Sequence, residues 1–179
     1  NNWNRCVLTT ATATKSTMNI LVIGSGAREH AIVRALERSP KDKEIFCLGS
    51  NVNPGIAELC ADLTVANIND THTITSYAEK REVDLAIIGP ENPLAVGAAD
   101  VLWDRDVRVV GPRKDLAQIE TSKAFTRDLL TEYNISGCPK YKIFSSLSGV
   151  EEFLGELGEN YVVKYDGLAG GKGVKVSGD

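Results

Sequence analysis

The sequence predicts an alternating α/β fold built on a parallel sheet, and three observations carry that expectation. Short, continuous apolar runs such as residues 19–23 (NILVI) and 84–88 (DLAII) recur along the chain, as in strands buried on both faces. Between them lie segments with apolar residues at helical spacing. The loops after the first, second and fourth strands are the richest in glycine, proline and polar groups. Repeated β–loop–α units of this size demand a parallel sheet covered by helices on both sides. Ligands of such sheets bind outside the carboxyl ends of the strands.

Residues 19–23 are the first strand. Residues 27–38 follow as a helix with Ala31, Ile32, Ala35 and Leu36 at helical spacing, ended by Ser39 and Pro40. The second strand is residues 44–48, the turn-rich loop GSNVNPG spans 49–55, and the third strand is 62–66. A helix over 70–81 opens on an Asp/Thr cap region, and the fourth strand is 84–88. A helix over 94–105 and a fifth strand over 107–110, stopped by Gly111 and Pro112, complete the unit. Residues 116–133 read as one or two helices leading out of it. A strand at 140–144, a helix at 148–157 and a hairpin at 161–176 follow. The expected organisation is an extension at 1–17, a Rossmann-like domain at 18–118 and the start of a second, α+β domain at 119–179.

With 42% hydrophobic and 25% charged residues the chain can bury a core, and its net charge of −4 gives no support for nucleic acid or a membrane surface as partner. No apolar run approaches the roughly 18 residues of a membrane span. Cys6, Cys47, Cys60 and Cys138 are scattered without a CxxC, which fits reduced thiols rather than zinc or a disulfide framework. Cys47 falls in an apolar run and reads as core. His72 reads as a surface residue and Trp103 as a core or helix-edge contact. Residues 1–17 contain no acid and five threonines, and they lack the apolar centre of a signal peptide. They are expected to be disordered, with Met18 as the natural start, a cytoplasmic location, and organelle targeting by this extension left open. The chain reads as a fragment.

The hairpin YVVKYDGLAGGKGVKV is the strongest chemical signal. Gly167, Gly170, Gly171 and Gly173 surround Lys172, and Lys164 ends the first strand. Glycines expose backbone N–H groups and lysines supply point charge, a form suited to folding over a polyphosphate. It is not the common phosphate loop, which would need glycine at 166 and Ser or Thr at 173 where the chain has Asp166 and Gly173. A solvated glycine-rich turn is the plain alternative. Upstream, VIGSGAREHA places Gly24 and Gly26 in a tight turn at a helix start, with Arg28, Glu29 and His30 in the first helical turn. As a dinucleotide fingerprint it fails, because Glu29 takes the third glycine's place and Gly49 and Ser50 stand where an acid is wanted. Glu29 offsetting the macrodipole and His30 as a surface histidine remain the bland readings. GPENPLAVG puts Glu91 between Pro90 and Pro93 at the end of the fourth strand, free to receive an amine or sugar hydroxyl, or simply capping a helix. In TSKAF, Lys123 sits in a first helical turn, where the macrodipole disfavours a cation, so an anionic partner explains it better than helix stability.

Taken together, GxGxREHA, the P-E-x-P-L run, TSKAF and the hairpin resemble the ATP-grasp ligases, and among them the phosphoribosylamine–glycine ligases, over residues 18–179. The resemblance implies a pre-ATP-grasp Rossmann-like domain followed by a truncated ATP-grasp domain. It implies ATP-dependent joining of glycine to 5-phosphoribosylamine through an acyl phosphate, a step of purine synthesis. Lys123, Lys164, Gly167, Gly170, Gly171, Lys172 and Gly173 would then contact ATP. Gly24, Gly26, Arg28, Glu29, His30, Pro90 and Glu91 would hold the phosphoribosyl substrate, with Asn53 and Gly55, and beside them Asn51, as weaker candidates in the loop after the second strand. Mg²⁺ or Mn²⁺ would be held by carboxylates beyond Asp179, so the 179 residues alone are expected to be inactive and the full-length protein to be a monomer. Tyr165 and Gly170 depart from the family, where small residues, usually alanine, are common. Another ATP-grasp carboxylate–amine ligase, a dinucleotide-dependent oxidoreductase and a non-catalytic nucleotide-binding module are the alternatives.

Overall fold

Strand β1 (Met18–Ile23) lies at the centre of a five-stranded sheet in the order β3-β2-β1-β4-β5. This computed structural model of the chain describes residues 17–178, so residues 1–16, which make up nearly all of the expected extension, lie outside it. All four pairings are parallel. β1 pairs with β2 (Lys43–Gly49) from Met18↔Lys43 to Ile23↔Leu48, and with β4 (Leu85–Ile88) from Ile20↔Leu85 to Ile23↔Ile88. β3 (Asp62–Val65) and β5 (Arg108–Val110) form the edges. The order reverses between β1 and β4, which opens a crevice at their carboxyl ends.

The pleat sends alternate residues of β1 to opposite faces. Leu21 and Ile23 join Phe46, Leu48, Ala86 and Ile88 under α3 (Thr71–Lys80) and α5 (Ala98–Trp103). Val22 joins Ile45 and Cys47 under α1 (Ala27–Glu37) and α2 (Pro54–Ala57). Leu21, Val22 and Ile23 are fully buried, and each such side chain stabilises the fold by about 1.5–3 kcal/mol relative to exposure. Burial, with a smaller effect from Cys60, pushes the Cys47 thiol up to about 12, as suits an inert core residue. Among the described residues no helix is long and apolar enough to cross a membrane.

Two elements differ from the sequence reading in this unit. The 49–55 segment is not all loop, because Asn53 caps α2 and Pro54 occupies its first position. The helix expected over 94–105 begins earlier, as α4 (Glu91–Val96), and is broken by Gly97 at φ +93 before α5 starts. A left-handed residue cannot continue an α-helix, and only glycine adopts it cheaply. His72 is exposed as expected, and Trp103 lies 38% exposed at the end of α5, a helix-edge residue rather than core.

Beyond β5 the chain forms α6 (Lys114–Thr121), α7 (Lys123–Glu132), α8 (Val150–Leu157) and an antiparallel hairpin of β6 (Val162–Lys164) with β7 (Val174–Val176). Residues 140–144 are not a strand, which corrects the expectation. A strand needs a neighbour to take its backbone groups, and no strand pairs with this segment among the described residues. Its side chains instead tie it to helices: Tyr141 Oη donates to Asp128 at 3.0 Å and Lys140 Nζ to Glu156 at 2.7 Å.

At the sheet edge Tyr77 Oη donates to Asp62 at 2.5 Å, and Arg81 pairs with the same carboxylate at 2.9 Å while lying over the Phe46 ring. The Tyr77 hydroxyl first, then Thr64 and Arg81, hold the Asp62 carboxyl below its usual range against the opposing effect of burial. Asp62 therefore contributes stability that is complete above the unfolded carboxylate value, about 3.9, and is lost as pH falls through its depressed folded value. Urea unfolding should show wild type losing more stability between pH 7 and pH 3 than Tyr77→Phe. An equal loss in both would contradict this account.

Candidate functional site

The crevice beside β1 is built from three loops. Gly24 N–H donates to Leu48 O at 2.9 Å and Gly89 N–H to Ile23 O at 3.0 Å, so the loops leave β1 and β4 in register. Gly24 turns at φ +113, and Gly26 caps α1 in extended conformation. Glu29, in the first turn of α1, folds back so that Oε2 accepts the Gly26 N–H at 2.7 Å. Its side chain is 5% exposed and needs glycine on both sides. A Cβ at Gly24 would come within 2.8 Å of Glu29 Cγ, and one at Gly89 would overlap the carboxylate itself. The other oxygen, Oε1, is buried without a hydrogen-bond partner among the described residues. Arg28 Nε stands 3.6 Å from it, and Arg28 Nη2 stands 3.9 Å from Glu91 Oε2. Arg28 is two-thirds exposed, so these contacts are loose and screened.

The loop after β2 is tied to the same place. Asn53 Nδ2 donates to Ser25 O at 3.1 Å, and its Oδ1 accepts from Gly55 N–H at 3.1 Å and Ile56 N–H at 3.3 Å. Ser25 Oγ donates to Asn51 Oδ1 and accepts the Asn51 N–H at 3.3 Å. The half-buried His30 ring lies directly over Gly55, where a Cβ would strike it. Beyond the end of β4, Glu91 is the first residue of α4, with Pro90 as its extended cap residue. Gly24, Gly26, Arg28, Glu29, His30, Asn53, Gly55, Pro90 and Glu91 are thus gathered at one crevice by three chain segments.

The second cluster is the hairpin on α7. Lys164 closes β6, Lys172 rides the exposed tip, and Tyr165 N–H donates to Gly173 O at 2.8 Å across the stem. Gly167, Gly170 and Gly171 have φ values of +128, +53 and +78, conformations that suit glycine. Tyr165 is two-thirds exposed, and its ring lies against Gly167. Lys123 opens α7 and its Nζ donates to Gly167 O at 2.7 Å. The anionic partner at this helix start is Asp166, whose carboxylate accepts the Lys123 N–H at 2.6 Å and the Ala124 N–H at 3.2 Å. Burial opposes ionisation of Asp166, but these donors, Ser122 and the Lys123 charge outweigh it and hold the carboxyl below its usual range. An apolar groove of about 340 Å³ is lined by Glu91 and Leu94 of α4 and by Leu116, Ala117 and Thr121 of α6.

Sequence reasoning missed Ser25, Gly89 and Asp166. Ser25 is a polar residue between two glycines, a signal of a tight polar turn. Gly89 precedes Pro90 where only a residue without Cβ fits against Glu29. Asp166 was legible only as a misfit to the phosphate-loop pattern.

A parallel sheet with ligand loops at its carboxyl edge, followed by a glycine-rich lysine hairpin, defines a protein of the ATP-grasp class. The family model described as phosphoribosylglycinamide synthetase, N domain, matches residues 18–120, and that described as phosphoribosylglycinamide synthetase, ATP-grasp (A) domain, matches residues 121–179. The chain belongs to the phosphoribosylglycinamide synthetase family. It is 45% identical over 162 residues to a phosphoribosylamine–glycine ligase of Methanococcoides burtonii and 49% identical over 166 residues to one of Methanococcus vannielii. Each match covers 90% of this chain and 37% of the relative, so the chain spans little more than a third of the curated relatives it matches. Among solved structures, the fold is shared with phosphoribosylglycinamide synthetase from Anaerococcus prevotii, with a TM-score of 0.63 at 12% identity over 90% of this chain and 39% of that one. It is also shared with N5-carboxyaminoimidazole synthetase from Staphylococcus aureus complexed with ADP, with a TM-score of 0.70 at 15% identity over 90% of this chain and 42% of that one.

Proposed function

We propose that the full-length protein joins glycine to 5-phosphoribosylamine at the expense of ATP, giving glycinamide ribonucleotide, ADP and phosphate. The observation that carries this reading is the pairing, on one chain, of a carboxylate-bearing crevice at the sheet's switch point with a lysine-rich glycine hairpin. In this reading the γ-phosphoryl of ATP passes to a carboxylate oxygen of glycine. The amine of phosphoribosylamine then attacks the acyl carbon, phosphate leaves with the former carboxylate oxygen, and the amine loses a proton.

Lys123, Lys164 and Lys172 supply the positive charge that phosphoryl transfer requires, and the N–H groups around Gly167, Gly170, Gly171 and Gly173 add fixed dipoles. The free glycine tip closes over the nucleotide and keeps water from the acyl phosphate. Arg28, Glu29, His30, Asn53, Gly55, Pro90 and Glu91 hold the phosphoribosyl partner, with Arg28 toward phosphate and the Glu29 and Glu91 carboxylates toward amine or hydroxyl donors. A divalent ion, when bound, would supply further neutralisation of phosphate charge. Among the described residues no three His, Cys, Asp or Glu side chains converge to hold one, so no step here is assigned to it.

The test is ADP release by the full-length protein with freshly made phosphoribosylamine and glycine, omitting each in turn. Strict dependence on both is expected. Turnover that survives either omission, or that requires a different carboxylate or amine, would overturn the substrate assignment and favour another ATP-grasp ligase.

A further inference from the structure

We propose that Asp166 is a positioning residue that fixes the root of the glycine-rich hairpin on α7 and so sets where Lys164 and Lys172 meet the nucleotide. This inference rests on the nucleotide reading of the hairpin given above. The first N–H groups of α7 have no partners within the helix. Ser122 Oγ accepts one of them, from Phe125 at 3.1 Å, while the Asp166 carboxylate takes those of Lys123 and Ala124 and the Ser122 hydroxyl at 3.1 Å. A carboxylate at a helix start is favoured by the macrodipole as well. The next residue is clasped from the other side, since Lys123 Nζ donates to Gly167 O. Residues 166 and 167 are therefore held by one helical turn more than forty residues earlier in the chain.

The tip is held by much less. Space around Gly170 and Gly171 is open, and the Lys172 N–H bonds only within the loop, to Ala169 O at 2.9 Å. A clamped root and a loose glycine tip make a flap whose pivot is fixed at Asp166. Lys164 lies two residues before that pivot and Lys172 six after it, so both lysines are placed relative to Lys123 through the Asp166 carboxylate, with the Lys123–Gly167 bond beside it. The anchor also fills the α7 N-terminus with the protein's own anion, which leaves phosphate recognition to the lysines and the loop N–H groups.

The test compares wild type, Asp166→Ala and Asp166→Asn in the full-length protein. Without ligands, Asp166→Ala should speed amide hydrogen exchange at Lys123 and Ala124 while exchange in the five-stranded sheet stays unchanged. Loss of charge-assisted bonds of this kind should raise KM for ATP by about tenfold or more, with KM for phosphoribosylamine little altered. Asp166→Asn keeps an oxygen acceptor suited to a helix start and should restore most of both effects. Unchanged exchange at Lys123 and Ala124 would overturn the anchor. Faster exchange with an unaltered KM for ATP, or no rescue by asparagine, would overturn the positioning role. Wild-type protein that fails to use ATP would instead overturn the functional reading, and the exchange measurement would still decide the anchor alone.

Discussion

Lys172→Ala in the full-length protein is expected to lower kcat/KM for ATP by about 100-fold or more while leaving thermal stability unchanged. Removing one preorganised donor from developing transition-state charge commonly costs about 2.7–4 kcal/mol. Stability should hold because Lys172 is exposed at a loop tip and its ammonium forms no ion pair among the described residues. Steady-state kinetics and a melting curve on the same preparation check both halves. A fall in melting temperature with unchanged kinetics would make the lysine a structural residue and the hairpin an ordinary solvated turn.

Gly89→Ala should do the reverse and damage the fold and the crevice together. The new methyl would occupy the space of the Glu29 carboxylate, and Glu29 has little freedom to retreat because it is buried and its Oε2 is held by the Gly26 N–H. Either the carboxylate leaves, breaking its bond to the Gly26 N–H, or the loop after β4 shifts away from β1. Overpacking of this kind costs about 1–3 kcal/mol. A drop of several degrees in melting temperature and a raised KM for phosphoribosylamine are expected. A variant that melts like wild type and binds phosphoribosylamine normally would show that the three loops are not interlocked as described.

The parallel sheet was legible because its central strands report their own burial: NILVI and DLAII are apolar in every position after the first, as suits a strand covered on both faces. The crevice residues were legible for a related reason, since Gly24, Gly26 and Pro90 mark turns at strand ends wherever the chain goes next. Long-range partners were not legible. Asp166 lies more than forty residues from the helix it caps, and no local pattern names that helix. Residues 140–144 alternate like a strand, yet strand formation depends on a neighbour that local sequence does not specify. Gly97 is a local signal of a helix break that the reading of one helix over 94–105 passed over, and the structure breaks the helix there at φ +93.

The two clusters are assigned to different substrates, and Glu29 separates that claim from its rivals most directly. Its Oε1 is buried in the crevice without a hydrogen-bond partner among the described residues, and the proposed function supplies one in a donor of the phosphoribosyl partner. The decisive measurement is KM for each substrate in full-length Glu29→Gln, a change that preserves shape and removes charge. KM for phosphoribosylamine should rise by about tenfold or more, as for loss of a bond to a charged group, while KM for ATP stays near wild type. A rise confined to ATP, or no change in either, would contradict the assignment of the crevice to the phosphoribosyl partner.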